Sequence, residues 1–374
     1  MLTRTLPSVA ASRAVPRRTV GRACRRLMLA CGLACLGPAA VAAAPATAAV
    51  APAPVPAAPA PAAPAPVVPA AEMPASAASP SLAADCPPPL VVPPPAAFQD
   101  GLRTATDNGL LWRVRKDGHD SWLYGTLHVA RFDWMFPGPN VFGALQAADR
   151  VAFELDAGDP DILARLQRAV AVDPAAPPLP AALEARLARD ARAACVAPET
   201  LVGMRPEMRG VTVTMGGGRR HGLEAAYGVD MFLMGLAHGL RKDVRSLERP
   251  EDQAALLVSD DPAETVHTLE RALDEVERGD ADRQLLRLAG DWHDGNLDDL
   301  THFADWCRCL DTAEDRANFK RLADDRNPGM ARQLVAWHAE GKSVFLAVGT
   351  LHMIGPSGLP ALLAKEGFEV VRVR

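Results

Sequence analysis

Taken as a whole, the chain beyond residue 42 has no surplus of Lys and Arg. The first 42 residues hold seven of the 40 basic residues and none of the 45 acidic ones. Without them the balance is 33 against 45, a net charge of −12. Nothing is left to attract a phosphate backbone, which argues against a nucleic-acid partner. There is no second apolar run of about 18 residues, so no transmembrane helix is expected after cleavage of the leader. The close His-Glu-x-x-His spacing of many metal sites is also missing. Only four cysteines follow the leader: Cys86, Cys195, Cys307 and Cys309.

The ends of the chain are easily placed. Arg17, Arg18, Arg22, Arg25 and Arg26 precede the apolar run Leu27–Leu36, and Ala40-Val41-Ala42 offers a cleavage triplet. Residues 1–42 therefore read as a secretory signal peptide, implying export to a periplasm or cell envelope. Met28-Leu29-Ala30-Cys31 is a poor lipobox, so lipid anchoring at Cys31 is the lesser reading. Residues 43–97 are almost all Pro, Ala and Val, a composition that buries no core and favours extended chain. They form either a spacer or a passive disordered tail. The domain is assigned to 98–374, with its fold starting near Leu110.

Two apolar runs break into the same tetrad. Trp122-Leu123-Tyr124 leads to Gly125-Thr126-Leu127-His128, and Phe345-Leu346-Ala347-Val348 to Gly349-Thr350-Leu351-His352. Such runs are strands buried on both faces. Each His then falls just past a carboxyl strand end, where open parallel sheets bind ligands. A helix and a further strand follow each tetrad: Val141–Ala148 with Arg150–Asp156, and Leu359–Lys365 with Phe368–Val373. The pattern is α/β: a mainly parallel sheet built from two similar strand–His–helix–strand halves. A largely helical insertion, 157–320, separates the halves and could cover the crevice. Val229–Leu240 and the short strand Lys242–Glu248 join the sheet from within it.

Four strand ends thus carry His128, Glu154, Glu248 and His352. Imidazole and carboxylate are the ligand set of catalytic divalent metals, with a nearby carboxylate as general base. The bland alternative is a duplicated packing motif. Glu154 and Glu248 could instead cap the helices that follow. Arg326 is either a solvated residue beside a capping Asn327 or a clamp on an oxyanion or substrate carboxylate. The turn Gly355–Gly358 could offer N–H groups to the same charge. An even cysteine count in an exported chain favours disulfides, with Cys195 joining Cys307 or Cys309. A copper-binding Cys-x-Cys is the minor alternative.

The stretches WLYGTLHV, VAFELD, GVDMFLMGLAHGLRKDVRSLE and DDRNPGMARQLVAWHAEGKSVFLAVGTLHMIGPSGLPALLAKEGFEVVRV resemble the TraB/PrgY/GumN family, which includes the TIKI metalloproteases. The resemblance covers roughly 110–374. It rests on two Gly-x-x-His motifs, on acidic positions matching Glu154 and Glu248, and on the pair Arg326-Asn327. It implies a fold similar to erythromycin esterase and ChaN-like proteins. The implied activity is divalent-metal-dependent proteolysis supported by manganese or cobalt, with zinc as a further option. Relatives commonly show Gly-Ala-x-His in the second motif and an aromatic after Pro206; this chain has Gly-Thr-Leu-His and Glu207. The expected function is an exported metallohydrolase of the peptidase class, with metal on His128, His352 and Glu154 and catalysis by Glu154, Glu248 and Arg326. The alternative is a catalytically silent peptide- or haem-binding envelope protein.

Overall fold

A computed structural model describes Leu82 and residues 85–373. The expected signal peptide and most of the Pro/Ala-rich stretch lie outside the described residues. The described end of that stretch is tied to the rest of the chain. Cys86 is disulfide-bonded to Cys195, Asp85 pairs with Arg220, and Arg219 donates to the Pro88 carbonyl. Helix α1, Pro95–Thr104, begins inside the stretch. Its Phe98 meets Phe132 and Phe136 edge to face.

Six strands form one sheet: β1 Leu110–Lys116, β2 His119–Thr126, β3 Arg150–Phe153, β4 Asp243–Ser246, β5 Val344–Gly349 and β6 Glu369–Val373. Their order is β4-β3-β5-β2-β1-β6. Only β1 runs against the rest, pairing antiparallel with β2 and β6. The α/β expectation holds, and the two halves interleave. β5 from the second half lies between β2 and β3 of the first. β6 travels past β2 and β1 to the edge. Parallel strands need such crossovers, and helices supply them.

The helices are α2 Pro139–Ala147, α3 Pro160–Val170, α4 Ala181–Ala193, α5 Pro206–Gly216, α6 Val229–Gly239, α7 Pro250–Leu257, α8 Pro262–Glu277 and α9 Asp280–His293. After them come α10 Leu297–Thr301, α11 Phe303–Trp306, α12 Ala313–Phe319, α13 Asn327–Ala339 and α14 Leu359–Lys365. A π-helical turn, Lys320–Asp324, separates α12 from α13.

The pleat of β5 explains its apolar run. Phe345 and Ala347 join the core on one face, with Leu145, Val151, Phe153, Leu233 and Trp292. Val344, Leu346 and Val348 join the core on the other, with Leu123, Met330, Leu334, Leu359 and Leu363. A strand covered on both faces has no polar position to offer. The insertion packs a small core of its own from Leu183, Leu187, Val213, Leu269 and Leu273. There the predicted cysteine pairing is overturned. Cys195 follows α4, where the 85–88 segment is seated, and Cys307 bonds Cys309 within one turn. The Cys-x-Cys thiols are thus used on each other. Among the described residues no helix is long and apolar enough to cross a membrane.

Candidate active site

The register of the sheet brings the two tetrads together. Thr126 of β2 pairs with Gly349 of β5. Both chains leave the sheet at that level, and the histidines follow on adjacent loops. Glu154 lies one residue past β3 and Glu248 two past β4. All four predicted positions therefore meet at the carboxyl edge, as expected for a parallel sheet.

Each imidazole is oriented through its Nδ1. His128 Nδ1 lies 2.7 Å from Asp230 Oδ2. Its Nδ1 must carry the proton, because an ionised carboxylate only accepts. Asp230 reaches this place because the Val229 N–H donates to the Leu127 carbonyl at 2.7 Å, docking the start of α6 on the His128 loop. His352 Nδ1 lies 2.6 Å from Asn327 Oδ1. Asn327 Nδ2 donates to the Ser357 carbonyl at 2.8 Å, which leaves Oδ1 as the acceptor and puts the proton on His352 Nδ1. Asn327 is thus the first residue of α13, not its side-chain cap. The Gly355–Gly358 turn contributes a carbonyl to the site, not the N–H groups expected of it. Both imidazoles keep an Nε2 lone pair.

Arg326 is deeply buried and binds the rest of the constellation. Its Nε donates to Glu248 Oε1 at 2.7 Å. Its Nη2 donates to Glu154 Oε2 at 2.6 Å and also to Glu248 Oε2. Its Nη1 donates to the Leu322 carbonyl at 2.9 Å and to His352 Nε2 at 3.1 Å. It is neither a solvated residue nor the partner of one carboxylate. Neither glutamate caps a helix. Glu154 Oε1 accepts the Gly349 N–H at 2.9 Å, and its Oε2 also accepts from Gln253 Nε2 at 3.1 Å.

The charges shift accordingly. Burial opposes ionisation of Glu154, but Arg326, foremost among its partners, holds it well below the usual carboxylate range. Burial dominates at Glu248 and raises it despite Arg326. Burial and the Arg326 cation push His352 down to about 3, so it is neutral. Burial works against charge on His128 too, yet Asp230 raises it above its ordinary value.

Two small cavities meet here. One, of about 40 Å³, is lined by Thr126, His128, Glu154, Leu322, Thr350 and His352, among others. The other, also about 40 Å³, reaches from His128 and Glu154 toward Asp230, Met234 and Gln253. A Cβ placed on Gly349 would stand 3.4 Å from Glu154 Oε1 and 3.8 Å from His128 Nε2 and from His352 Cδ2. The bare glycine therefore keeps a space between both histidines and the glutamate. Thr126 Oγ1, Thr350 Oγ1 and Asp230 Oδ1 are buried without a hydrogen-bond partner. Among the described residues, no three His, Cys, Asp or Glu side chains stand ready to hold a metal ion.

The profile of the TraB/PrgY/gumN family matches residues 110–372, from the first strand to the last. The chain belongs to that family. No curated protein and no solved structure matches it. In this TraB/PrgY/gumN chain, Asp230 and Gln253 are site residues that reasoning from the sequence missed. Asp230 stands two residues after Gly228, where it looks like any acid in a first helical turn. Gln253 sits inside α7 with no motif around it. Outside the site, His338 is a satisfied core residue, bonded to Ser121 Oγ at 2.9 Å and to the Lys116 carbonyl at 2.9 Å.

Proposed function

We propose that this TraB/PrgY/gumN protein is an exported, divalent-metal-dependent hydrolase acting on peptides. One observation carries the reading: two imidazoles from equivalent tetrads on neighbouring strands, each fixed through Nδ1 so that its Nε2 carries the lone pair, which on His352 accepts from Arg326 Nη1. Metal-binding histidines are held in this way, by a carboxylate or carbonyl on the other nitrogen. Three further features fit an ion. The cavity of about 40 Å³ has room for an ion and a water. Its lining includes Thr126 and Thr350, whose hydroxyls have no partner. The set combines imidazole with carboxylate, which suits manganese, cobalt or zinc.

His128 Nε2, His352 Nε2 and Glu154 would hold the ion. When bound, it supplies Lewis acidity toward a carbonyl and acidifies water. The protein's own residues do the rest. Glu154 stays ionised and suits a ligand. Glu248 holds a proton more readily and suits the general base that takes one from the attacking water. Asp230 and Asn327 keep the imidazoles in register. Arg326 neutralises the negative charge of Glu154 and Glu248 as the site stands. The test is cleavage of a peptide library by the leaderless protein with manganese or cobalt. Cleavage that a chelator abolishes, and that Glu248→Gln slows at least about a hundredfold, supports the reading. Cleavage indifferent to chelator would sink it.

A second reading has one observation in its favour: Arg326 already occupies the carboxylates and His352 Nε2. In that case the protein is a silent envelope protein that binds a peptide or haem. Its ligand affinity would survive a chelator and the protein would cleave nothing.

A further inference from the structure

A cavity of about 40 Å³ admits an ion but no peptide, so a hydrolase of this shape has to open. Most of the walls cannot give way, because the ends of β2 and β5 belong to the doubly covered core. The side formed by Leu322 and Ala323 is buried as well, but its backbone is neither strand nor regular α-helix. Both belong to the π-helical turn Lys320–Asp324, where the Asp325 N–H reaches back five residues to the Lys320 carbonyl at 2.7 Å. A π turn carries one residue more than an α turn and recurs at functional sites. Arg326 follows directly, and its Nη1 donates to Leu322 of the same turn. One short segment therefore supplies both a wall of the cavity and the cation among the carboxylates.

Charge and lone pairs make that cation incompatible with a metal in the same place. Glu154 and Glu248 bring two negative charges and Arg326 one positive. A divalent ion added beside Arg326 would set two cations against the same glutamate oxygens, which Arg326 already binds. With Arg326 moved aside, both glutamates are released to face the ion. His352 Nε2 has a single lone pair, which goes either to Arg326 Nη1 or to a metal.

We propose that Arg326 is a resident cation that the metal displaces, and that Lys320–Arg326 is the gate through which the site opens. This rests on the metal-binding reading above. Relaxing the π turn to α geometry shifts the start of α13 by one residue, turning Arg326 by about 100° about the helix axis. The same movement withdraws Leu322 and Ala323 from the cavity wall.

The test is titration of wild type, Arg326→Gln and Arg326→Lys with Mn²⁺ by calorimetry, beside hydrogen exchange of wild type with and without Mn²⁺. Arg326→Gln should bind Mn²⁺ about tenfold more tightly or better, with Arg326→Lys between it and wild type. The metal-free Arg326→Gln protein should melt earlier than wild type and recover on adding Mn²⁺. In wild type, Mn²⁺ should change exchange within 320–326 while β5 stays unchanged. If wild type binds and Arg326→Gln binds no better, the displacement idea falls and the metal reading stands. If binding leaves exchange in 320–326 untouched, the gate falls. If no protein binds Mn²⁺, the metal reading falls and takes this inference with it. Should Arg326→Gln fail to fold, the exchange experiment on wild type decides.

Discussion

Thr126 of β2 stands opposite Gly349 of β5, so the two Gly-Thr-Leu-His tetrads meet one residue out of step. The residue opposite the first threonine is therefore the second glycine. That glycine is the one whose missing side chain keeps His128, Glu154 and His352 apart. Gly349→Val should consequently fill the site with little harm to the fold. Overpacking of this kind costs about 1–3 kcal/mol, and Mn²⁺ affinity should drop by more than about a hundredfold. Calorimetric titration beside a thermal melt checks both. Undiminished binding by a folded Gly349→Val protein would remove Gly349 from the account.

Asp230 and Asn327 reach the histidines from different elements but do the same work. Asp230→Asn and Asn327→Ala should each weaken Mn²⁺ binding by about 10–100-fold, the usual cost of losing such an outer partner. The cobalt-substituted protein offers a direct readout, since its visible spectrum follows ligand orientation. A spectrum and affinity unchanged in both variants would mean that the Nδ1 bonds only fill space.

The metal-free protein should be acid-labile for a definite reason. His352 is pushed from 6.5 to about 3 in the fold. Between those values the unfolded chain holds a proton that the folded chain refuses, so stability falls as pH falls through this window. Glu154, held below its ordinary 4.5, adds to the loss under more acidic conditions. His128 is raised and works the other way: its contribution is full below 6.5 and is lost as pH rises past its folded value. In denaturant melts with chelator, His352→Gln should flatten the slope between pH 6.5 and 4 by up to about 1.4 kcal/mol per pH unit. An identical slope in the variant would show that His352 already carries its proton in the fold.

Much of this site was legible in the sequence, and the limits of that legibility have physical causes. The repeated tetrad announced two strand ends, and an apolar run needs a doubly covered strand to bury it. The structure brings His128, Glu154, Glu248, Arg326 and His352 together at those strand ends. The interleaving of the halves was not legible, because neighbours in a parallel sheet are fixed by crossovers distant in sequence. Asp230 was missed because helix starts often carry an acid. Arg326 reads in the sequence as either a solvated residue or a clamp on an oxyanion or substrate carboxylate, whereas its N–H groups bind both glutamates, His352 and a carbonyl. That valence becomes visible only when 154, 248, 326 and 352 are brought together.

The disulfides show the same limit, since four cysteines allow three pairings. The two bonds should differ sharply in worth. Cys86–Cys195 spans 109 positions and Cys307–Cys309 only two. Loop-closure entropy then gives about 4–5 kcal/mol for the first and about 1–2 kcal/mol for the second. Cys86→Ser should melt far earlier than a Cys307→Ser/Cys309→Ser protein under oxidising conditions. Equal losses would mean that residues 85–104 are held by their packing and not by the bond.

The proposal that His128 and His352 share one metal ion underlies the rest. It is decided by the metal content of the protein without residues 1–42, purified without chelator or affinity-tag histidines and soaked in Mn²⁺ or Co²⁺. About one equivalent per chain is expected in wild type and almost none in a folded His128→Ala/His352→Ala protein. Equal metal in both proteins, or none in wild type after soaking, would contradict it.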